Sequence, residues 1–137
     1  MQTVTGTLYI VATPIGNLDD LSSRAIQTLR TVDLIAAEDT RRTGALLTHL
    51  GIRQRMLSLH AHNEAHQSHQ LIEMLNEGKS IALVSDAGTP LISDPGYPLV
   101  QEAAAHHIPV SPVPGPSALL AALSASGIPC DRFIFEG

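Results

Sequence analysis

Short aliphatic runs alternate along this chain with stretches whose apolar residues recur every three or four positions, and that alternation predicts its elements. Leu8 to Thr13 is a run of aliphatic and β-forming residues that stops at Pro14, which predicts a buried strand. In Leu21 to Leu29 the residues Leu21, Ala25, Ile26 and Leu29 share one helical face, with Asp19 or Asp20 placed to cap its amino end. Leu34 to Ala37 predicts a second strand. Thr40 caps a helix that runs to Leu50 and stops at Gly51, and Met56 to Leu59 is a weaker third strand. The spacing of Leu71, Ile72 and Leu75 predicts a helix from about Asn63 to Glu77, ended by Gly78, before a fourth strand from Ile81 to Ser85. Beyond a loop rich in Gly and Pro come a helix from Tyr97 to His106, a short strand around Val110 and a helix from Ser117 to Ser126. Strand and helix thus alternate five times, and the strands are almost continuously apolar. That pattern predicts an α/β fold, a mainly parallel five-stranded sheet with helices on both faces. Phe133 to Phe135 breaks the rhythm as a further strand, so residues 1–132 are expected to form one domain and 133–137 to begin the connection to a second.

Composition narrows the possibilities. A chain of 137 residues, 44% hydrophobic and 15% charged, can bury one core and does not resemble a disordered polymer. Aromatic residues make up only 3% and Trp is absent, which argues against a platform for stacking single-stranded bases. The net charge of −5 opposes long-range attraction to phosphate, so a nucleic-acid partner needs a local basic surface. Arg41, Arg42, Arg53 and Arg55 are the candidates, with a solvated helix end as the alternative. Cys130 stands alone, which excludes an internal disulfide and suits a reducing compartment. No apolar run reaches the roughly 20 residues of a membrane helix, so no membrane contact and a cytoplasmic location are expected.

Five unusual segments follow the predicted strands: residues 13–17, 38–41, 60–64, 85–96 and 114–118. In an open parallel sheet these segments meet at one edge, where ligands bind. Each alone reads first as turn punctuation or helix capping. The segment from Ser85 to Gly96 is different, because two Asp, two Gly and two Pro constrain the backbone beyond the needs of a connection. Gly88 and Gly96 would let the backbone approach a ligand, and Asp86 could accept hydrogen bonds from ribose hydroxyls or an ammonium group. There is no Gly-x-Gly-x-x-Gly and no Walker lysine motif, and Lys79 is the only lysine. A ligand that is neutral or partly cationic therefore fits better than a triphosphate. His62, His66 and His69 stand at spacings of four and three, but without a completing Cys or carboxylate no metal is expected. His60 and His62 sit at the mouth of a strand, where an imidazole acts as base or substrate ligand, or the segment caps a helix.

The runs Thr13-Pro14-Ile15-Gly16-Asn17-Leu18, Ala37-Glu38-Asp39-Thr40-Arg41 and Ser85 to Gly96 resemble motifs of the ribosomal RNA small subunit methyltransferase I family, of the tetrapyrrole-methylase class. The segments His60 to Glu64 and Pro114 to Ala118 resemble family features too. The resemblance implies two α/β domains, of which this chain is the first, with S-adenosylmethionine in the cleft between them. It implies methyl transfer to the ribose 2′-hydroxyl of a cytidine in 16S ribosomal RNA, on the RNA or the assembled small subunit. The cofactor residues it implies, joined to those read above, are Pro14, Gly16, Asp86, Ala87, Gly88, Thr89, Pro90, Asp94, Ser117 and Ala118. His60, His62, Glu38 and Asp39 are the candidate proton acceptors, and Arg41 and Arg42 the phosphate ligands, with Arg53 and Arg55 extending the RNA surface. A homodimer is expected, and so is inactivity of this chain without a second domain. The alternatives are a methyltransferase of the same class acting on a tetrapyrrole or another small molecule, and a non-catalytic module binding RNA or a partner.

Overall fold

The computed structural model describes residues 4–92 and 96–137. Among them the strands β1 (Leu8–Val11), β2 (Leu34–Ala37), β3 (Met56–Ser58), β4 (Ile81–Val84) and β5 (Val110–Val113) form one sheet in the order β3-β2-β4-β1-β5. Every pairing is parallel, and the register places Ile81 opposite both Leu8 and Leu34 and Leu8 opposite Val110. The expected five-stranded α/β sheet is present and wholly parallel.

Even in apolar strands the period of two divides the side chains between the faces. Leu8, Ile10, Leu34, Ala36, Ile81 and Leu83 pack under α3 (Glu64–Asn76) and α4 (Tyr97–Ala105), through Leu71, Ile72, Leu75, Leu99 and Ala103. Val11, Ile35, Ala37, Ala82, Val84 and Val113 face α1 (Ser23–Thr31) and α2 (Thr40–Leu50), through Ala25, Leu29 and Leu47. Among β3, β2, β4 and β1, neighbouring strands therefore send their connections over opposite faces. Crevices open between such diverging connections at the carboxyl edge. The last helix, α5 (Ala118–Ala125), has no buried residue.

Three expectations are corrected. Ser22, not Asp19 or Asp20, caps α1, its hydroxyl accepting from Ala25 N–H at 3.0 Å, because Asn17 first closes a 3-10 turn over Leu18–Asp20. Asp39, not Thr40, caps α2, its carboxylate accepting from Arg41 N–H. Phe133 to Phe135 forms no strand. A strand exists only with a ladder partner, and this segment instead brings Phe135 to the wall of a cleft that also contains Ile15 and Ile92.

Candidate functional site

Because the strands are parallel, the segments containing Pro14, Asp39, His62, Asp86 and Ser117 all leave from one edge of the sheet. Hydrogen bonds join these segments. Thr13 and Gly88 form an isolated antiparallel bridge, each N–H donating to the other's carbonyl at 3.0 Å. The Thr13 hydroxyl donates to Ser85 O at 3.4 Å, and the Ser85 hydroxyl donates to Ala87 O at 3.1 Å, which folds the loop after β4 into a tight turn. Asp39 N–H donates to Asp86 Oδ1 at 3.1 Å, and the Thr89 hydroxyl donates to Pro116 O at 3.0 Å. Gly96 N–H donates to Glu64 Oε1 at 2.5 Å.

Two cavities flank the Thr13–Gly88 bridge. The larger, about 480 Å³, is walled by Ile15, Ala87, Gly88, Thr89, Ile92, Ser117, Ala118, Leu119, Phe135 and Gly137. It gathers five of the expected cofactor residues: Ala87, Gly88, Thr89, Ser117 and Ala118. The smaller, about 260 Å³, lies against α2 and is walled by Thr13, Pro14, Leu18, Arg42, Thr43, Ala45, Leu46, His49, Ser85 and Asp86. Pro14 and Asp86, also expected to hold cofactor, line this second cavity instead. Pro90 is buried and Gly16 is exposed with φ +146°, and neither lines either of these two cavities. Asp94 lies outside the described residues.

The glycines divide in purpose. Gly88 holds φ +82°, and a Cβ there would stand 3.4 Å from Ile15 Cγ2 at the mouth of the larger cavity. Gly96 is buried at φ +122°, where a Cβ would come within 2.7 Å of Cδ2 of both Leu83 and Leu91. Its freedom therefore serves packing under α4 rather than approach of a ligand.

None of the candidate proton acceptors His60, His62, Glu38 and Asp39 is among the wall residues of these two cavities. Asp39 is held below its ordinary value chiefly by the hydrogen bond from Arg41 N–H, with the Arg41 guanidinium adding to it and partial desolvation opposing it. A carboxylate so stabilised is a poor base. His62 N–H donates to His60 Nδ1 at 3.2 Å, which leaves the proton of neutral His60 on Nε2. His60 N–H in turn donates to Asn63 Oδ1 at 2.9 Å, and Asn63 Nδ2 donates to Ser58 O, so this segment locks its own turn before α3.

The four arginines do not form one surface. Arg41 and Arg42 occupy the first turn of α2 at the carboxyl edge, whereas Arg53 and Arg55 precede β3 at the opposite edge. The basic cluster in sequence is separated because α2 runs the depth of the sheet between its halves. His62, His66 and His69 do not share a helix either, since α3 begins at Glu64 and His69 Nδ1 faces Glu102 Oε1 at 3.3 Å. Among the described residues no group of three His, Cys, Asp or Glu could hold a metal. The sequence reading missed Leu46 and His49, although Arg42, Ala45, Leu46 and His49 fall at i, i+3, i+4 and i+7 of one helical face.

Set beside known proteins, residues 7–135 match the family model described as tetrapyrrole (corrin/porphyrin) methylases. The chain belongs to that family. This tetrapyrrole methylase chain is 64% identical over 132 residues to the ribosomal RNA small subunit methyltransferase I of Xylella fastidiosa, covering 96% of this chain and 48% of that protein. It is 58% identical over 137 residues to the protein of the same name from Haemophilus influenzae, covering 100% of this chain and 48% of that one. The chain thus spans about half the length of the curated relatives it matches. Among solved structures it is similar to uroporphyrin-III-C-methyltransferase from Thermus thermophilus, with TM-score 0.67 and 23% identity over 90% of this chain and 54% of that one. Diphthine synthase superposes with TM-score 0.70 and 19% identity, over 90% of this chain and 49% of that one. At these identities the structural likeness concerns the fold. No helix among the described residues is long and apolar enough to cross a membrane.

Proposed function

We propose that this methylase domain belongs to an enzyme that transfers a methyl group from S-adenosylmethionine to the ribose 2′-hydroxyl of a cytidine in 16S ribosomal RNA. One observation carries the reading: identities of 57–64% over nearly the whole chain to relatives named for the small ribosomal subunit RNA, against 19–23% to methylases named for other acceptors. S-adenosylmethionine, when bound, supplies a methyl group on a sulfonium, so the chain needs only to bind, align and keep water away. The larger cavity suits it, since its volume falls within the roughly 300–1,000 Å³ of small-molecule sites and none of its walls is basic. The backbone of 87–89 and the start of α5 would hold it, with Ile15, Ile92 and Leu119 excluding water.

As the methyl group passes to oxygen, the hydroxyl proton must pass to a base at this edge, directly or through one water. Asp39 is disfavoured by its lowered value, and His60 presents Nε2–H while Nδ1 accepts from His62. We assign proton acceptance to His62 or Glu38, and comparing the kcat of His62→Ala with that of Glu38→Gln separates them. The decisive experiment incubates small ribosomal subunits with methyl-labelled S-adenosylmethionine and a full-length protein that contains this chain, then maps the label. A labelled cytidine 2′-oxygen in 16S RNA is expected. Label on a base, on protein or on a tetrapyrrole in parallel reactions would overturn the reading.

A further inference from the structure

We infer that the smaller cavity, between α2 and the loops after β1 and β4, receives the acceptor nucleotide, with Arg42 on its phosphate and Asp86 facing its ribose. The inference rests on the methyl-transfer reading above and adds where the acceptor sits and which way it points.

Size and shape come first. A space of about 260 Å³ takes one nucleotide and not a duplex, so the target would enter as an unpaired, splayed residue. Its apolar walls are Pro14, Leu18, Ala45 and Leu46, flat aliphatic surface for a base in a protein with little aromatic surface to offer. Along α2, Arg42 and His49 are separated by two turns, about 10 Å at the helical rise of 1.5 Å per residue. A nucleotide lying along that face from its phosphate at Arg42 would direct the polar edge of its base toward His49.

Charge sets the direction. Arg42 is the only Arg or Lys in the walls of either cavity, and a guanidinium makes paired hydrogen bonds to phosphate oxygens. Asp86 repels phosphate and accepts from hydroxyls, so the sugar faces Asp86 while the phosphate goes to Arg42. The Asp86 carboxylate is held in place, because Oδ1 already accepts from Asp39 N–H. The Thr13–Gly88 bridge is the wall common to both cavities, and the chain crosses from one lining to the other within single steps, Pro14 to Ile15 and Asp86 to Ala87. A hydroxyl beside Asp86 therefore borders the cavity assigned to the methyl donor, as transfer between two bound groups requires.

The test is a set of amide chemical-shift titrations on the 137-residue chain with cytidine 5′-monophosphate, with cytidine and with S-adenosylhomocysteine. The monophosphate is expected to shift Thr13, Arg42, Thr43, Leu46, His49 and Asp86, and S-adenosylhomocysteine to shift 87–89 and 117–119. Arg42→Ala should weaken the monophosphate about tenfold, the loss of a charged hydrogen bond, and leave cytidine unchanged. Shifts from the monophosphate at 117–119 or around Arg53 and Arg55, no binding of it, or equal weakening of monophosphate and cytidine would each overturn the inference. If S-adenosylhomocysteine binds as expected while the monophosphate does not, the acceptor assignment alone falls. If S-adenosylhomocysteine shifts nothing at 87–89 or 117–119, the methyl-transfer reading falls with it.

Discussion

Asp39 and Asp86 are both acids at the sheet edge, and their surroundings set them to different tasks. Asp39 spends its carboxylate on the first turn of α2, and its folded value lies below the ordinary 3.8. A depressed value contributes stability above the unfolded value and loses it as pH falls through the folded one. Wild-type protein should therefore melt above Asp39→Asn at neutral pH, with the gap closing as pH falls through and below the ordinary carboxylate range, as thermal unfolding followed across that range would show. An unchanged gap in acid would mean that the charge contributes nothing. Gly96 supports a second prediction. Gly96→Ala places a Cβ at φ +122° and within 2.7 Å of Leu83 and Leu91, and should cost roughly 1–3 kcal/mol in denaturant unfolding. At this scale the sequence showed that Gly88, Gly96 and Asp86 were special. It did not show that Gly96 serves packing or that Asp86 turns away from the larger cavity, because both depend on neighbours distant in the chain.

The elements themselves were legible, since aliphatic runs and helical periodicity are local and burial enforces them. Their ends were less so. Ser22 replaced Asp19 and Asp20 as a cap because the chain makes a 3-10 turn first, and Phe133 to Phe135 lacked the ladder that its composition suits. Helices of similar appearance also differ in what they support. Leu71 of α3 is fully buried in the core cluster that contains residues of β1, β2 and β4, so Leu71→Ala should lower stability by about 2–5 kcal/mol. In α5, Leu120 is 57% exposed, and Leu120→Ser should stay within about 0.5 kcal/mol. Parallel urea titrations of the two variants check the contrast. A large loss at Leu120 would mean that α5 belongs to the core.

For the molecule as a whole, the sheet buries its two faces well, while Leu120, Ile128, Phe133, Ile134 and Phe135 remain exposed along α5 and the segment after it. Apolar surface of this kind promotes association, and we expect a homodimer that Ile134→Asp shifts toward monomer in sedimentation velocity. A wild-type monomer at all concentrations would refute this. The larger cavity is walled by three segments of this chain and its last residues, and the chain spans about half the length of its curated relatives. This chain should therefore bind S-adenosylhomocysteine more weakly than the Haemophilus influenzae relative does, by calorimetry, and methylate small subunits poorly, since a displacement of about 1 Å costs roughly a hundredfold in rate. Equal turnover would show that these 137 residues suffice. By itself the sequence determined the five strands of the sheet, the helices, the parallel α/β class and the gathering of five loops at one edge, because each follows from local periodicity and from the rule that parallel strands present their carboxyl ends together. The tertiary structure decided the rest. Strand order and the depth of α2 separate Arg42 from Arg55, and the Thr13–Gly88 bridge divides one expected site into two cavities. Those are contacts between segments far apart in the chain, which no local pattern encodes.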